Sequence, residues 1–393
     1  MKKVKIGDVC DILNGFAFKS DKYVEKGIRI IRIANVQKGF IEDNVPTFYP
    51  MDSTGLEKYM LKEDDLLMSL TGNVGRVALL QKEMLPAALN QRVACLRLKT
   101  DRITKGFLFH ILNSDFFEQQ CVLASNGVAQ KNMSTEWLKD YEIPLYSIQE
   151  QMKIADILDK TKRIIVAKNN ELRALNELIK ARFVEMFGDP VTNPMGWEVV
   201  TIREVVTEVR YGTSKPAVEN GKYPYLRMNN LTVDGRLDLN DLKYIDIPKD
   251  EVEKCIVRKG DILFNRTNSI ELVGKTAVFD LADDMVIAGY IIRVRLNEKI
   301  LPEVLAQYMN LEALKNIFRS MAKGAVNQAN INAQELQNVK VYIPDMKLQK
   351  QFIEVKNQID KSKVNYYYKN RKDGFPPLLF IYSVTTIINL SDY

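Results

Sequence analysis

Polar side chains that can form paired hydrogen bonds are concentrated in two kinds of short segment, and each kind occurs twice. A polar loop at 69–76, repeated at 265–275, follows an apolar run, and an amide segment at 126–132, repeated at 324–330, surrounds a glycine. Asn and Gln can form two hydrogen bonds with adenine, whereas Arg and Lys can reach guanine or a phosphate. The predicted DNA-binding residues of the polar loops are Ser69, Thr71, Asn73, Arg76, Arg266, Thr267, Asn268 and Lys275. Those of the amide segments are Gln130, Lys131, Asn132, Asn327, Gln328 and Asn330.

Each of these assignments has a structural alternative that the sequence leaves open. Gly127 and Gly324 are also compatible with simple turns whose amides cap the following helix. The polar loops are equally compatible with solvent-exposed hairpins. For Arg32 and Asn35, hydrogen bonds within a strand and turn are favoured over contacts with the DNA backbone.

The two copies of the polar loop differ in sequence, and one such difference is Leu70 in the first copy at the position of Arg266 in the second. If the loop touches DNA, such a difference would let the two copies read different sequences. Aromatic residues such as Tyr223, Tyr225 and Tyr290 are expected to belong to the core.

Residues that would support catalysis or metal binding are sparse. The single histidine, His110, lies in the apolar stretch FLFHIL and is expected to be a packed structural residue. The four cysteines are far apart and show no metal-ligand spacing. We find no GxGxxG or Walker A loop, no amino-methyltransferase motif and no convincing nuclease constellation. The sequence therefore predicts no catalytic residues, no metal and no cofactor.

The composition is that of an ordinary globular protein. The chain has 393 residues, of which 46% are hydrophobic and 27% charged, with a net charge of +6. This mildly basic balance is compatible with nucleic acid but is not evidence for it. Separated cysteines indicate a reducing compartment, and the longest apolar run, 378–390, is too short to span a bilayer. We expect a cytoplasmic protein without a membrane segment.

The sequence is an internal repeat of one unit of about 197 residues. Five landmarks recur in the same order, at an offset of about 195 to 201 residues. The matched segments are 31–39 with 226–235, 63–73 with 259–269, 125–133 with 322–331, 143–144 with 343–344, and 149–162 with 349–363.

Within each copy the pattern predicts a mixed α/β domain. Short β-rich runs at Ile28–Ile33, Leu66–Leu70 and Val93–Leu98 are separated by Gly, Asn and Asp turn signals. Helical stretches are predicted at Phe107–Leu123 in the first copy and Val304–Met321 in the second.

A long helix is predicted to end the first copy. The segment 147–187 contains no Pro or Gly, and apolar residues recur in it at alternating steps of four and three. A helix of about 38 residues would be about 57 Å long, and it needs a partner for its apolar stripe. The corresponding helix of the second copy, which starts near Leu348, is the obvious candidate for this partner. The stripe consists of Ile154, Leu158, Thr161, Ile165, Lys168, Leu172, Leu175, Ile179, Arg182 and Met186, widened by Ile157, Ile164, Leu178 and Phe183.

Over about residues 1–370, the sequence resembles the specificity (S) subunit of type I restriction–modification systems. The start VKIGDV at 4–9 recurs at 196–206, and DDLLMSLTGNVGRVAL at 64–79 is similar to a segment typical of that family. Each amide segment has a Gly-x-x-Gln-x-Asn pattern, one residue longer in the second copy, and Ile-Pro followed by Gln-x-Gln opens each helix.

The resemblance implies an α+β architecture of two target recognition domains in tandem, separated by long helices that form an antiparallel coiled-coil spacer. Each domain would read one half of a bipartite site in double-stranded DNA. The subunit would have no catalytic site of its own. It would dock two DNA-adenine methyltransferase subunits and, through them, the endonuclease/translocase subunits, and that complex would cleave and methylate DNA. The alternatives are a stand-alone two-domain protein scaffold, an inactive truncated specificity subunit, and a self-contained restriction or methylation enzyme.

The sequence departs from the pattern of the family at the end of the second copy. After Lys363 the apolar stripe is not continued, and Gly374, Pro376 and Pro377 would break a helix. We expect a shortened second helix of about 20 to 25 residues, which would leave Leu172–Met186 partly unpaired, and we attribute it to a reading-frame change or a recombined gene end. The expected segments are recognition domains at 1–145 and 191–343, spacer helices at 146–190 and 344–370, and an atypical tail at 371–393.

Overall fold

The computed structural model describes residues 2–125, 132–324 and 328–372. Contacts between Cα atoms divide the chain into two units, one built on Met1–Lys168 and the other on Asn169–Lys369. Each unit combines β-sheets with helices, as the sequence predicts, and the order of elements in the first unit recurs in the second.

Unit 1 is built on a four-stranded antiparallel sheet and a three-stranded sheet. Its elements are, in chain order, β1 (Lys3–Lys5), α1 (Ile6–Val9), β2 (Cys10–Asn14), β3 (Ile28–Ile31), β4 (Val36–Gln37), β5 (Phe40–Ile41), β6 (Phe48–Tyr49), β7 (Leu66–Ser69), β8 (Val77–Leu79), β9 (Ala87–Leu89), β10 (Val93–Leu98), α2 (Lys105–Leu112), α3 (Asp115–Ala124), α4 (Thr135–Asp140), β11 (Glu142–Pro144) and the beginning of α5 (Ile148–Phe187). The larger sheet has the order β2-β10-β7-β8, and the smaller has the order β6-β3-β9. Strand β1 pairs with β11, and β4 with β5.

Unit 2 repeats the larger sheet as β13-β21-β17-β19 and adds a four-stranded sheet in the order β15-β14-β20-β16. After the end of α5, its elements are β12 (Glu198–Thr201), α6 (Ile202–Val205), β13 (Val206–Tyr211), β14 (Tyr223–Leu226), β15 (Lys243–Ile245), α7 (Lys249–Cys255), β16 (Ile256–Val257), β17 (Ile262–Asn265), β18 (Thr267–Asn268), β19 (Thr276–Val278), β20 (Met285–Ile287), β21 (Ile291–Leu296), α8 (Pro302–Met309), α9 (Glu312–Met321), β22 (Ala329–Asn330), α10 (Ala333–Gln337), β23 (Lys340–Ile343) and α11 (Met346–Lys372). Strand β12 pairs with β23, and β18 with β22.

In the larger sheet of each unit, the inner strands β7 and β17 are buried on both faces, which explains why they read as nearly continuous apolar runs. In β7, Leu66 and Met68 join the core shared with the helices, whereas Leu67 joins the core shared with the smaller sheet. In β17, Ile262 and Leu263 divide between two cores in the same way. Because side chains alternate along a strand, one apolar run supplies both layers.

An ion pair is reproduced at the same place in both units. The Arg97 Nε atom donates to Asp65 Oδ1 at 2.9 Å, and Arg295 Nε donates to Asp261 Oδ1 at 2.9 Å. Both aspartates are nearly buried. Each pair ties the central strand of the larger sheet to the turn that precedes the neighbouring strand, so the repeat extends to individual side-chain contacts.

Each predicted helical stretch before the amide segment is a pair of helices rather than one helix. In the first copy the stretch divides into α2 and α3, and the Ser114 side chain caps α3 by accepting a hydrogen bond from Phe117 N at 3.1 Å. Asn310 and Leu311 separate α8 from α9 in the second copy. A serine cap inside an apolar helical pattern ends one helix and starts another.

The structure corrects the sequence match at the end of each copy by two residues. Val4 pairs with Ile143 and Val200 pairs with Val341, so Ile143 corresponds to Val341 and not to Ile343. The matches of 143–144 with 343–344 and of 149–162 with 349–363 are therefore wrong in register.

A buried glutamine in each long helix shows the same corrected register. The Oε1 atom of Gln151 accepts from Thr104 N at 2.8 Å, and its Nε2 donates to the carbonyls of Arg102 and Tyr146. Gln349 makes the equivalent three bonds, since it accepts from Leu301 N at 2.8 Å and donates to the carbonyls of Lys299 and Pro344. The equivalent glutamines are thus 198 positions apart, and each fastens a long helix to the start of α2 or α8.

The long helix α5 has 40 residues, close to the predicted length. From Ile154 to Ile179, the residues at the predicted alternating steps are half-buried or buried. Ile157, Ile164 and Leu178, which were expected to widen the stripe, are exposed. Beyond Ile179, the buried residues are Phe183 and Phe187 rather than Arg182 and Met186. The stripe changes there to steps of four because an α-helix has 3.6 residues per turn.

The helix α11 has 27 residues, slightly more than predicted. Its Phe352 is buried against Phe183 and Phe187, with ring centroids 5.3 Å and 5.5 Å apart. The predictions for Gly374, Pro376, Pro377 and the tail lie outside the described residues.

Candidate nucleic-acid interface

The polar loop and the amide segment, which are about 60 residues apart in sequence, meet in both units. The Thr71 hydroxyl donates to Asn132 Oδ1 at 2.7 Å, and the Thr267 hydroxyl donates to Asn330 Oδ1 at 2.8 Å. In each case the two residues also form a β-bridge. This threonine–asparagine clasp joins the two predicted recognition segments into one site per unit.

The backbone next to each clasp is held by the same two hydrogen bonds. Leu70 N donates to Arg92 O at 3.0 Å, and the carbonyl of Leu70 accepts from Met133 N at 2.9 Å. Arg266 N donates to Tyr290 O at 3.0 Å, and the carbonyl of Arg266 accepts from Ile331 N at 2.9 Å. Leu70 and Arg266 are therefore structural equivalents, as the sequence match predicts.

The first polar loop is a tight turn whose exposed part is Gly72 and Asn73. Ser69 is fully buried, and its hydroxyl donates to the Asn73 carbonyl, so Ser69 shapes the loop and is not itself available to DNA. Gly72 has a φ of +73°, a conformation that favours glycine. The exposed Asn132 lies beside this turn through its bond to Thr71.

Two predicted DNA-binding cations are engaged with protein groups. Arg76 Nη1 donates to Gln37 Oε1 at 2.7 Å, and its Nε lies 3.4 Å from Glu118 Oε1. Lys275 is buried, and its ammonium donates to the carbonyls of Met228 and Leu231. Burial lowers the pKa of Lys275. The structure therefore places Lys275 inside the domain, where two backbone carbonyls accept its hydrogen bonds, rather than on its surface.

A second buried lysine supports the polar loop of unit 2. The Lys315 ammonium donates to the carbonyl of Gly274, and only 8% of the residue is exposed. Burial is the main reason why the pKa of Lys315 falls to about 7, and the neighbouring charge of Arg319 adds to this. The loop thus rests on a lysine that can lose its charge near neutral pH.

The exposed face of the second site carries Arg266, Asn268 and Gln328, all at least partly accessible. Asn268 Nδ2 donates to Asn265 Oδ1 at 2.8 Å, which fixes its orientation. The guanidinium carbon of Arg266 lies 4.9 Å from the centre of the Tyr211 ring. The predicted contacts Gln130, Lys131 and Asn327 lie outside the described residues.

Two tyrosines at this site were not singled out as DNA-binding residues by the sequence. Tyr211 is 43% exposed, and Tyr290, which was expected in the core, is 49% exposed. Tyr211 ends β13 next to Gly212, where an added Cβ would lie 2.1 Å from Ile287 O. The same close approach occurs at Gly15 in unit 1. The repeated glycine next to a strand end is the signal that could have located this position.

Arg32 and Asn35 have the structural role that the sequence favours. Asn35 Oδ1 accepts from Arg32 N at 2.9 Å, and its Nδ2 donates to the carbonyl of Glu42. Asn230 makes the equivalent bond with Arg227 N at 2.8 Å. These amides hold a turn together in each unit.

The model of the type I restriction modification DNA specificity domain matches the chain twice, at residues 1–177 and 194–366. The chain belongs to this family. The two matches confirm the internal repeat, and each specificity domain contains one threonine–asparagine clasp.

Relatives of this specificity-domain protein are type I specificity subunits. It is 21% identical to the EcoKI specificity subunit of Escherichia coli K12 over 369 residues, which is 88% of this chain and 79% of that protein. It is 32% identical to the putative MjaX specificity subunit of Methanocaldococcus jannaschii over 171 residues, which is 42% of this chain and 40% of that protein. The type I restriction-modification S subunit from M. genitalium has a similar fold, with a TM-score of 0.54 at 16% identity, over 98% of this chain and 93% of that structure.

Neither specificity domain shows a metal cluster in the parts of the chain that the structure describes. His110 is mostly buried, its Nε2 lies 2.9 Å from Asp159 Oδ1, and burial lowers the pKa of the imidazole. Burial raises the pKa of the Cys10 and Cys121 thiols to about 12. No helix within the described ranges is long and apolar enough to cross a bilayer.

Proposed function

We propose that this protein is the non-catalytic DNA sequence-recognition subunit of a type I restriction–modification complex, and that each repeat reads one half of a bipartite site. The observation that carries the proposal is the duplicated clasp, which brings the same two polar segments together in two separate specificity domains. Two copies of one reading surface suit a site in two parts.

The segments next to each clasp have the chemistry that base recognition needs. Exposed amides at Asn73 and Asn132 in the first domain, and at Gln328 in the second, can reach base edges in a groove. The buried hydrogen bonds of Ser69 and Thr71 hold that surface in place, so it does not have to become ordered when DNA binds.

We propose that α5 and α11 form the antiparallel coiled-coil spacer between recognition domains at 1–145 and 191–343. The aromatic contact of Phe352 with Phe183 and Phe187 supports the pairing of the two helices within unit 2. A helix of about 60 Å is long enough to separate domains that bind one helical turn of DNA apart, about 34–36 Å.

The long helices are also the proposed docking surface for two methyltransferase subunits, through which endonuclease/translocase subunits would join. Exposed apolar side chains on α5, including Met152, Ile157 and Ile164, support a protein-binding role. In this proposal the partners supply all catalysis, and the assembly works in the cytoplasm.

The proposal is tested by selecting DNA from a random-sequence duplex pool with the full chain assembled with its methyltransferase partner. We expect enrichment of a split site, two short specified sequences separated by an unspecified spacer of constant length. Enrichment of no sequence would refute the proposal and favour a protein scaffold. Methylation or cleavage of DNA by the purified chain alone, with S-adenosylmethionine and Mg²⁺, would contradict the non-catalytic role.

A further inference from the structure

We propose that Arg266 reads a guanine in the half-site bound by the second domain, with Tyr211 as the residue that positions it. The inference rests on the proposed function and deepens it, because it assigns a base type to one residue of one domain. Three observations support it: the stacking of the guanidinium, its unused donor capacity, and the difference between the two domains at this position.

The guanidinium of Arg266 is held at the surface by an aromatic ring. Its central carbon lies 4.9 Å from the centre of the Tyr211 ring, and Nη1 makes only a long contact, 3.4 Å, with the carbonyl of Gly289. The Tyr211 hydroxyl accepts a hydrogen bond from Ala333 N at 2.7 Å, so the ring itself is fixed. A stacked guanidinium has lost part of its rotamer freedom before it meets a ligand.

The backbone on both sides of Arg266 is equally constrained. Its N–H donates to Tyr290 O, its carbonyl accepts from Ile331 N, and the next residue, Thr267, forms the clasp with Asn330. Among the described residues, none is a hydrogen-bond partner of the buried Nε atom. In the part of the chain that the structure describes, no carboxylate forms an ion pair with this guanidinium, whereas Arg76 at the first polar loop is engaged by Glu118.

Guanine is the base that suits a fixed guanidinium. Arginine forms two parallel hydrogen bonds with the O6 and N7 acceptors that guanine presents in the major groove, and this is the commonest specific contact between proteins and DNA. A contact with a phosphate would need only the charge, which a flexible lysine supplies as well.

Comparison of the two domains favours a base over a phosphate. Leu70 occupies the equivalent position in the first domain, with the same two backbone hydrogen bonds, and it is 8% exposed. Asn14 occupies the position of Tyr211, since each ends the strand that precedes the close-packed glycine. Phosphates are the same in both half-sites, whereas the bases can differ. A cation that occupies this position in one domain alone is therefore better suited to contact a base than a phosphate.

The test is selection from a random duplex pool by the full chain with its methyltransferase partner, followed by binding to the enriched duplex and to its single-base variants. The wild type is expected to prefer guanine at one position of one half-site. Arg266→Ala and Arg266→Lys should both reduce that preference, by about tenfold to a hundredfold, and leave the other half-site unchanged. The unchanged half-site also shows that each variant is assembled, and retention of the other specified bases of the second half-site shows that the second domain is folded.

Variants of the neighbouring residues test the positioning role. Tyr211→Ala should weaken the same guanine preference, whereas Tyr211→Phe keeps the ring and should preserve it. Arg210→Ala is the matched control, because Arg210 lies one residue earlier on β13, pairs with Glu208 and is more than half exposed. Its removal should leave the guanine preference unchanged, since successive side chains point to opposite faces of a strand.

Each other outcome has a distinct meaning. If Arg266→Lys retains the preference, the planar guanidinium is not what selects guanine, and the inference is wrong. If Arg266→Ala weakens all sequences alike and reduces the salt dependence, Arg266 contacts a phosphate, and the inference is also wrong. If the wild type enriches a split site without a guanine that depends on Arg266, the inference fails while the proposed function stands. If the wild type enriches no sequence, the proposed function fails, and the inference fails with it.

Discussion

Replacement of Gln349 by alanine should destabilise unit 2 strongly, whereas replacement of Gln351 should have little effect. Gln349 is fully buried and makes three hydrogen bonds to the backbone, to Leu301 N, Lys299 O and Pro344 O. Gln351, two residues later, is exposed. The pair is well matched, because both lie in the first turns of α11 and both changes are Gln to Ala.

The magnitude follows from the groups that the substitution leaves without partners. A buried donor or acceptor left unsatisfied costs about 1–3 kcal/mol. Gln349→Ala leaves one backbone amide and two backbone carbonyls without their hydrogen-bond partner, and water entering the vacated space recovers part of the lost free energy. We therefore expect the free energy of unfolding to fall by about 2–4 kcal/mol. For a unit of about 200 residues this lowers the Tm by roughly 5–15 °C.

Differential scanning calorimetry of the full chain measures the effect. Gln151→Ala and the exposed Gln149→Ala form the same comparison in unit 1. Equal destabilisation by Gln349→Ala and Gln351→Ala would refute the corrected register. It would also be refuted if Gln349→Ala and Gln151→Ala each lowered the free energy of unfolding by less than about 0.5 kcal/mol, the usual range for surface substitutions.

Two further predictions concern the second recognition site. Because burial lowers the folded-state pKa of Lys315 to about 7, the folded protein releases this proton before the unfolded chain does, and stability should rise with pH between about 7 and 10. Relative to Lys315→Met, the free energy of unfolding measured by chemical denaturation should increase by at most about 1.4 kcal/mol per pH unit. Parallel pH profiles of stability for the two proteins would contradict this expectation. Gly212→Ala would place a Cβ 2.1 Å from Ile287 O and should disturb the base preference at the second half-site. Gly289→Ala should be tolerated, because the atom closest to its added Cβ is 3.4 Å away. Selection from random DNA compares the two variants, and equal base preferences would count against the close packing at Gly212.

The sequence predicted the repeat, the long helix and most of the central strands, because these depend on local periodicity and on the order of motifs. The strand β10 occurs at the predicted residues, and the apolar stripe of α5 follows the prediction up to Ile179. The break between α2 and α3 was missed, because Ser114 caps a helix inside a run that is otherwise apolar enough to continue.

The parts of the site that the sequence could not place depend on contacts between distant residues. A lysine is usually exposed, yet Lys275 is buried and donates to the carbonyls of Met228 and Leu231, more than 40 residues earlier. Tyr211 belongs to the site only because β13 pairs with β21 and brings it to Arg266. The two-residue error in the match of the long helices arose because Gln-x-Gln occurs in both copies, and burial alone decides which glutamine is equivalent.

The most direct measurement of the central claim is to map which half of the DNA site changes when the same residue is removed from each repeat. Asn132→Ala and Asn330→Ala remove the equivalent clasp amides, and both variants would be assembled with the methyltransferase partner and used to select from random duplex DNA. We expect each variant to lose the specified bases of one half-site only, and the two variants to affect different halves. Loss of the same half in both variants, or of neither half, would contradict the claim that each repeat reads its own half of the site.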